Sequence, residues 1–156
     1  MALSAELAED FSALAAKYPE RRAALIPALH RLQSMRDGWL SPESIEDCAE
    51  WFELEPVEVY AVASFYPMFH LKPVGEHVVG VCRNIACHLR GARAIIAEVQ
   101  SATGAEVGGT SEDGRFTVET LECQGACTAA PMIVVDGEYV ENIAPDQVAG
   151  ILGELA

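Results

Sequence analysis

Four of the five cysteines in this 156-residue chain occur as two closely spaced pairs. Cys82 and Cys87 form a C-x4-C pair, and Cys123 and Cys127 form a C-x3-C pair. Each pair follows an apolar run that predicts a β-strand. If the two strands are neighbours in one sheet, roughly 4.8 Å apart, their ends share an edge and the four thiols converge. Such a set of soft thiolate ligands favours an iron–sulfur cluster or zinc over harder metals.

The spacing of the pairs bears on the choice between these two metal centres. Structural zinc sites usually separate paired ligands by about two to four residues, so C-x4-C lies at the wide end for zinc. A [2Fe–2S] cluster needs one pair of sulfurs for each iron, and it tolerates both spacings. Small residues at 124–126 and 128–130 would let backbone N–H groups face the sulfurs. The pattern favours a [2Fe–2S] cluster, and a four-cysteine zinc structural module is the alternative.

Other residues with reactive side chains have no comparable pattern. Cys48 shares an apolar helical stripe with Ile45 and Phe52, which is typical of a buried core thiol. His88 follows Cys87, but a Rieske centre replaces two cysteines by histidines and here all four cysteines are present. We therefore predict that His88 is a surface residue or an outer hydrogen-bond donor. No glycine-rich phosphate motif follows a strand and no acid–base set stands out, so catalytic residues are not assigned.

Composition and charge restrict the classes of partner. The formal net charge is −14, which disfavours binding to nucleic-acid phosphates. No run approaches the roughly 20 apolar residues of a membrane span, and the N-terminus lacks a secretion signal. We therefore expect a soluble, cytoplasmic protein without direct membrane insertion, in which disulfides are disfavoured.

Residues 4–66 have helical periodicity throughout and predict a small bundle of four helices. The predicted helices run from Ser4 to Lys17, from Arg21 to Arg36, from Pro42 and from Pro56. Pro27 predicts either a kink in the second helix or a later start. The fourth helix is apolar on both sides, so we predict that both of its faces are buried.

After Gly75 the pattern predicts alternating strands and helices. The expected elements are strands at 77–81 and 115–121, a hairpin at 132–140, helices at 89–99 and 144–155, and a polar loop at 104–114. The predicted fold class is therefore α+β, with a helical bundle domain at residues 1–70, a linker at 71–75 and a thioredoxin-like α/β ferredoxin domain at 76–156. The isomer of the bond before Pro131 is left open.

The segments around both cysteine pairs resemble a known family. They are VCRNIACHLRGA at residues 81–92 and LECQGACTAAP at residues 121–131, with further matches at 18–19, 38–43 and 62–66. These motifs resemble the thioredoxin-like [2Fe–2S] subunit of NADH dehydrogenases, the E-type subunit of respiratory complex I. Related small subunits occur in NAD-linked hydrogenases, including bifurcating ones, and in NAD-linked formate dehydrogenases.

This resemblance implies that Cys82, Cys87, Cys123 and Cys127 hold one [2Fe–2S] cluster. It implies electron transfer in an NADH:quinone oxidoreductase, from the flavin of a partner subunit. FMN and NAD would bind only to that flavoprotein NADH-binding subunit, and further iron–sulfur subunits would complete the complex as part of its peripheral arm. The equivalent subunit of a hydrogenase or formate dehydrogenase is the alternative, and a stand-alone ferredoxin is a third hypothesis.

Overall fold

The computed structural model of the protein describes residues 3–155. The chain separates into two compact units, the first ending at Pro73 and the second beginning at Val74. Within the described residues there are seven α-helices and five β-strands. This mixture confirms the predicted α+β class.

The first unit is built from four α-helices. They are α1 (Ala5–Ala15), α2 (Leu25–Met35), α3 (Pro42–Phe52) and α4 (Pro56–Phe65). Ser4 caps α1 by accepting a hydrogen bond from the Leu7 backbone N–H at 3.3 Å, and Ser41 caps α3 in the same way. Pro27 lies in the first turn of α2, which begins late because a 3-10 turn precedes it.

The core of the helical unit is formed by one apolar side of each helix. Phe11 of α1 is fully buried and its ring lies 5.3 Å from that of Trp51 and 5.8 Å from that of Phe52. Cys48 of α3 is also fully buried, as predicted for a core thiol. Further residues of this core are Leu7, Leu25, Leu29, Leu32, Leu40, Ile45 and Val59.

The prediction that both faces of α4 are buried was wrong. Val59 and Ala63 are buried, but Val57, Tyr60 and Phe65 are 70, 53 and 77% exposed. The pattern misled because a helix that is apolar all round can either be enclosed or present one side to a partner, and the sequence does not distinguish these cases.

The second unit is a five-stranded sheet with three helices. The strands are β1 (His77–Cys82), β2 (Gly109–Thr110), β3 (Phe116–Leu121), β4 (Met132–Val135) and β5 (Glu138–Glu141). The helices are α5 (Ile85–Leu89), α6 (Ala92–Thr103) and α7 (Val148–Gly153). The strand order is β2-β3-β1-β4-β5, with β1 parallel to β3 and the other neighbours antiparallel.

Three boundaries in this unit differ from the sequence prediction. The helix predicted over 89–99 is α6, which begins only at Ala92, after Gly91 with a φ of +100°, and a separate short helix, α5, precedes it at Ile85–Leu89. The polar loop at 104–114 contains β2, which pairs with the edge of β3. The last α-helix begins only at Val148, after a 3-10 turn.

The hairpin between β4 and β5 is confirmed. Asp136 and Gly137 both have positive φ values, as a two-residue hairpin turn requires. The Ala130–Pro131 bond before β4 is cis.

Side chains on one face of the sheet pack against α6 and α7 to form the core of the second unit. Val79 and Val81 of β1, Ile95 and Val99 of α6, and Val148 and Leu152 of α7 belong to this core. Because side chains alternate along a strand, Gly80 and Cys82 face the opposite side. A Cβ atom at Gly80 would lie 2.4 Å from Leu121 Cδ1, so a larger residue at this position would require the Leu121 side chain to move.

Among the helices of residues 3–155, none combines the length and apolar character needed to cross a bilayer.

Replacing Phe11 by alanine should destabilise the helical unit by about 3–5 kcal/mol, because the change removes a fully buried ring. The matched control is Phe65→Ala, which should change the free energy of unfolding by less than about 0.5 kcal/mol because Phe65 is exposed. Both tryptophans, Trp39 and Trp51, lie in the helical unit, so their fluorescence during urea unfolding measures this unit selectively. Equal losses in the two variants would contradict the assigned core.

Candidate metal centre

The pairing of β1 with its two neighbours brings both cysteine pairs to one edge of the sheet. Cys82 is the last residue of β1 and lies opposite Leu121, the last residue of β3. Cys123 follows two residues later, and the Arg83 backbone N–H donates to the Leu121 carbonyl at 2.9 Å. The strand β4 begins at this same edge, because Val81 pairs with Ile133. The backbone pairing of the sheet thus places both cysteine-bearing segments side by side.

The short helix α5 returns Cys87 toward Cys82. Asn84 caps this helix by accepting a hydrogen bond from the Ile85 N–H at 2.8 Å. Cys87 lies on the inner side of α5, and the side chains of Cys82 and Cys87 interact directly. Each of these two cysteines is 3% exposed. The C-x4-C pair is therefore the inner half of the site.

The C-x3-C pair forms the outer half. Cys123 and Cys127 are both exposed, and their Sγ atoms are 3.6 Å apart. Gly125 adopts a φ of +81° between them, and its N–H donates to Cys123 Sγ at 3.4 Å. Glycine suits this turn because its backbone reaches positive φ without strain.

One carboxylate ties the two loops together. Glu122, which immediately precedes Cys123, accepts a hydrogen bond from Arg83 Nη2 through Oε1 at 2.7 Å. It accepts a second from Asn84 Nδ2 through Oε2 at 3.1 Å. On the other side of the C-x3-C loop, the Tyr139 hydroxyl donates to the Gln124 carbonyl at 3.0 Å. These contacts brace the loops that carry the cysteines.

The four predicted cysteines line a single pocket. Its other lining residues are Asn84, Ala86, Gln124, Ala126 and Met132. Apart from Met132, the apolar ones among them are alanines, so the walls are formed largely by short side chains and backbone. The structure therefore brings together all four cysteines of the predicted set and leaves Cys48 in the helical core.

The electrostatics of the thiols reflect their crowding. Burial raises the pKa of Cys87, the Cys82 thiol raises it further, and a hydrogen bond from the Met132 backbone N–H acts in the opposite direction. A hydrogen bond with Cys123, together with charge repulsion from the same thiol, raises the pKa of Cys127. Because metal ligands bind as thiolates, loading the site with a metal centre must release these protons.

The donor set fits a [2Fe–2S] cluster. Four thiols supply two sulfur pairs, one for each iron, and the Gly125 and Met132 N–H groups face sulfur atoms as hydrogen-bond donors. Within residues 3–155, no three His, Cys, Asp or Glu side chains surround one point as the ligands of a single ion would. The four cysteines can line one pocket without meeting at one point, because a two-iron cluster needs one pair of sulfurs for each iron rather than four sulfurs around a single atom.

The remaining predicted residues have simple surroundings. His88 is exposed at the surface, in agreement with the first of its two predicted roles. Burial raises the pKa of Cys48 to about 12, so this thiol is unreactive.

The sequence did not predict a role at the site for Glu122, Asn84, Tyr139 or the backbone of Met132. Glu122 could have been suspected, since it is a charged residue directly beside a cysteine, but its partners lie 38 and 39 residues away in the chain.

A sheet edge that gathers four cysteines is typical of proteins that hold an iron–sulfur cluster or zinc. The chain belongs to the thioredoxin-like [2Fe–2S] ferredoxin family, whose sequence pattern matches residues 11–156. Its cofactor is accordingly a [2Fe–2S] cluster, and the predicted thioredoxin-like fold is confirmed.

Individual relatives agree with this membership. The chain is 37% identical to the E subunit of NADH-quinone oxidoreductase from Mycobacterium tuberculosis (strain ATCC 25618 / H37Rv) over 151 residues, which cover 97% of this chain and 60% of that protein. It is 38% identical to the E 2 subunit of NADH-quinone oxidoreductase from Rhizobium meliloti (strain 1021), over 86% of this chain and 80% of that protein. The chain thus spans three fifths of the mycobacterial relative.

A solved structure shares the fold. The crystal structure of an NAD+-reducing [NiFe]-hydrogenase in the air-oxidised state superposes with a TM-score of 0.73 at 23% identity, covering 84% of this chain and 22% of the hydrogenase chain. At this identity the similarity establishes the fold alone.

The different exposure of the cysteines predicts two classes of thiol in the metal-free protein. Cys123 and Cys127 should react rapidly with a thiol reagent such as Ellman's reagent, and the three buried cysteines should react slowly. All five should react once the protein is unfolded in denaturant. Cys48→Ala should leave the rapid phase unchanged and should lower only the total number of thiols that react in denaturant. A rapid phase that includes more than two thiols would contradict the described burial.

Proposed function

We propose that Cys82, Cys87, Cys123 and Cys127 are the four ligands of the [2Fe–2S] cluster. The observation that carries this proposal is their convergence in one pocket at the sheet edge. Each half of the set comes from a different loop, so each loop supplies a pair of sulfurs. The buried pair would shield one side of the cluster from water, and the exposed pair would form its outward edge.

We further propose that the chain is the electron-transfer subunit of an NADH:quinone oxidoreductase of the complex I type. Relatives that are named as E subunits of NADH-quinone oxidoreductase support this assignment. The chain acts there as part of an oxidoreductase, in the peripheral arm and on the cytoplasmic side, next to a flavoprotein subunit that binds FMN and NAD and to further iron–sulfur subunits. The equivalent role in an NAD-linked hydrogenase or formate dehydrogenase is the alternative.

The residues around the thiols suit one-electron transfer. The cluster, when bound, takes up and releases single electrons. The N–H groups of Gly125 and Met132 stabilise negative charge on the ligand sulfurs and therefore favour the reduced state. The hydrogen bonds of Glu122 to Arg83 and Asn84 hold the two loops together. They therefore limit the movement of the loops when the cluster gains or loses an electron. The exposed Cys123 and Cys127 bring one side of the site to the protein surface.

The exposed side of α4 supports assembly with another protein. Val57, Tyr60 and Phe65 form an apolar surface on the helical unit, and such surfaces commonly mark protein contacts. The helical unit contributes none of the four cysteines, so we assign it a role in binding the partner rather than in holding the cluster.

Serine substitutions test the ligand assignment. Cys82→Ser, Cys87→Ser, Cys123→Ser and Cys127→Ser should each lose or severely destabilise the cluster, because an alcohol is a poor substitute for a thiolate on iron. Iron and sulfide should fall from about two of each per chain, and the rhombic spin-half signal of the dithionite-reduced protein should vanish or change shape.

Cys48→Ala is the matched control, since it removes a cysteine from the core of the other unit. It should retain the cluster and lower stability by an amount on the order of 1 kcal/mol. Loss of the cluster in this variant would overturn the ligand assignment. Colourless wild-type protein holding one zinc, after iron-replete anaerobic expression, would favour the zinc module instead.

The isolated, cluster-loaded chain should not oxidise NADH. No glycine-rich phosphate-binding motif is present in its sequence, so electrons must come from the flavoprotein. The measurement is NADH-dependent reduction of ferricyanide, with the chain alone, with the flavoprotein alone and with both together. Rapid turnover by the chain alone would refute the electron-carrier assignment.

A further inference from the structure

The charge of this chain is distributed unevenly around the cluster site. The protein has 24 acidic residues against 10 lysines and arginines. Residues 77–97 nevertheless contain no aspartate or glutamate, while they contain Arg83, Arg90 and Arg93. This is the longest stretch of the chain without a carboxylate, and it includes Cys82 and Cys87. Two of the four thiols are therefore carried by a segment that has three arginines and no carboxylates.

Five of the six arginines other than Arg90 and Arg93 form ion pairs within the chain, and the sixth, Arg115, donates a hydrogen bond to the Leu155 carbonyl and lies over the Phe116 ring. In the helical unit, Arg21 pairs with Glu53, Arg22 with Glu58, Arg31 with Asp10, and Arg36 with Asp47, all within 3.1 Å. Arg83 pairs with Glu122 at the cluster loops. Arg90 and Arg93 are exposed, and neither forms an ion pair with any residue from 3 to 155. Their charges are available to another molecule.

Exposed apolar side chains lie in the same segment. Ile85 is 72% exposed and Leu89 is 79% exposed. They are four residues apart on α5, so they share the side that faces away from the buried Cys87. Ile85 stands between Asn84 and Ala86, both of which line the thiol pocket. An apolar pair flanked by unpaired arginines thus adjoins the cluster site.

We propose that Ile85, Leu89, Arg90 and Arg93, here called the α5–α6 face, dock the flavoprotein partner, and that the partner presents an acidic rim around an apolar contact there. This inference rests on the proposed function and specifies the surface that it uses. Charge complementarity selects the partner: two unpaired arginines attract carboxylates, while the acidic remainder of the chain repels them and so orients the encounter. The apolar pair excludes water at the centre of the contact.

The position of this face explains why it serves electron transfer. Docking through α5 brings the partner to the loop that carries Cys82 and Cys87, beside the pocket lined by all four cysteines. Arg90 and Arg93 should increase the association rate, and Leu89 should decrease the dissociation rate. Charge and apolar contact can therefore be separated experimentally.

The test measures binding between the full-length, cluster-loaded chain and the FMN-loaded NADH-binding flavoprotein of the same organism. Arg90→Glu/Arg93→Glu should weaken the Kd roughly tenfold at low ionic strength, mainly through slower association. The difference from wild type should shrink as salt is raised. Leu89→Ser should increase the dissociation rate several-fold with little effect on association.

Lys17→Glu/Lys72→Glu is the matched control, because it makes the same change of charge at exposed positions in the helical unit. Its Kd should stay within about twofold of wild type. Iron content, the reduced-state spectrum and the reduction potential of every variant are measured first, so that a binding defect is not confused with damage to the cluster.

The outcomes separate this proposal from the proposed function. If the wild type binds the flavoprotein and the arginine reversal changes the Kd no more than the control does, the α5–α6 face is overturned and the proposed function stands. A cluster-loaded wild type that does not bind the flavoprotein overturns both. Two further results would assign the face to another occupant and overturn the proposal, provided that flavoprotein binding is unaffected by the arginine reversal. One is self-association of the chain, measured by sedimentation, that the reversal abolishes. The other is binding to phosphatidylserine vesicles that the reversal abolishes.

Discussion

The parallel pairing of β1 with β3 is the constraint on which the site depends. It places Cys82 opposite Leu121, so the loops that leave these strands begin side by side. Gly80 leaves room for the Leu121 side chain, which a larger residue at that position would displace. A register shift of one residue would turn Cys82 toward α6 and α7 and would separate the cysteine pairs. The geometry of the metal centre is therefore a consequence of backbone pairing more than of contacts among the cysteines.

Concentrating four thiols in a small volume is electrostatically unfavourable, and the surrounding backbone offsets part of that penalty. Burial and a hydrogen bond with Cys82 raise the pKa of Cys87, and a hydrogen bond with Cys123 and repulsion from it raise the pKa of Cys127. The N–H groups of Gly125 and Met132 point at sulfur, and short side chains allow this close approach. The Glu122 carboxylate binds Arg83 and Asn84 rather than facing the sulfurs, so this acid acts as a brace between the two loops.

The two units divide the work of the protein. The helical unit has a tightly packed aromatic core, internally paired arginines and one exposed apolar side on α4. The second unit has all four pocket cysteines, the unpaired Arg90 and Arg93, and the exposed α5. The match to the thioredoxin-like [2Fe–2S] ferredoxin family spans both units, from residue 11 to residue 156. The exposed surfaces of both units are consistent with a chain that works bound to other proteins.

Much of this protein was predictable from the sequence because the relevant signals are local. The starts of the first and third helices, the hairpin at 132–140, Cys48 as a core thiol and the spacing of the other four cysteines each depend on residues within a few positions. Only the tertiary structure decided which side of α4 is exposed, that a separate short helix precedes Gly91, and that Glu122 joins two loops 38 residues apart. These features depend on which distant segments become neighbours, and that choice is made by the pairing and packing of the whole sheet rather than by any local pattern.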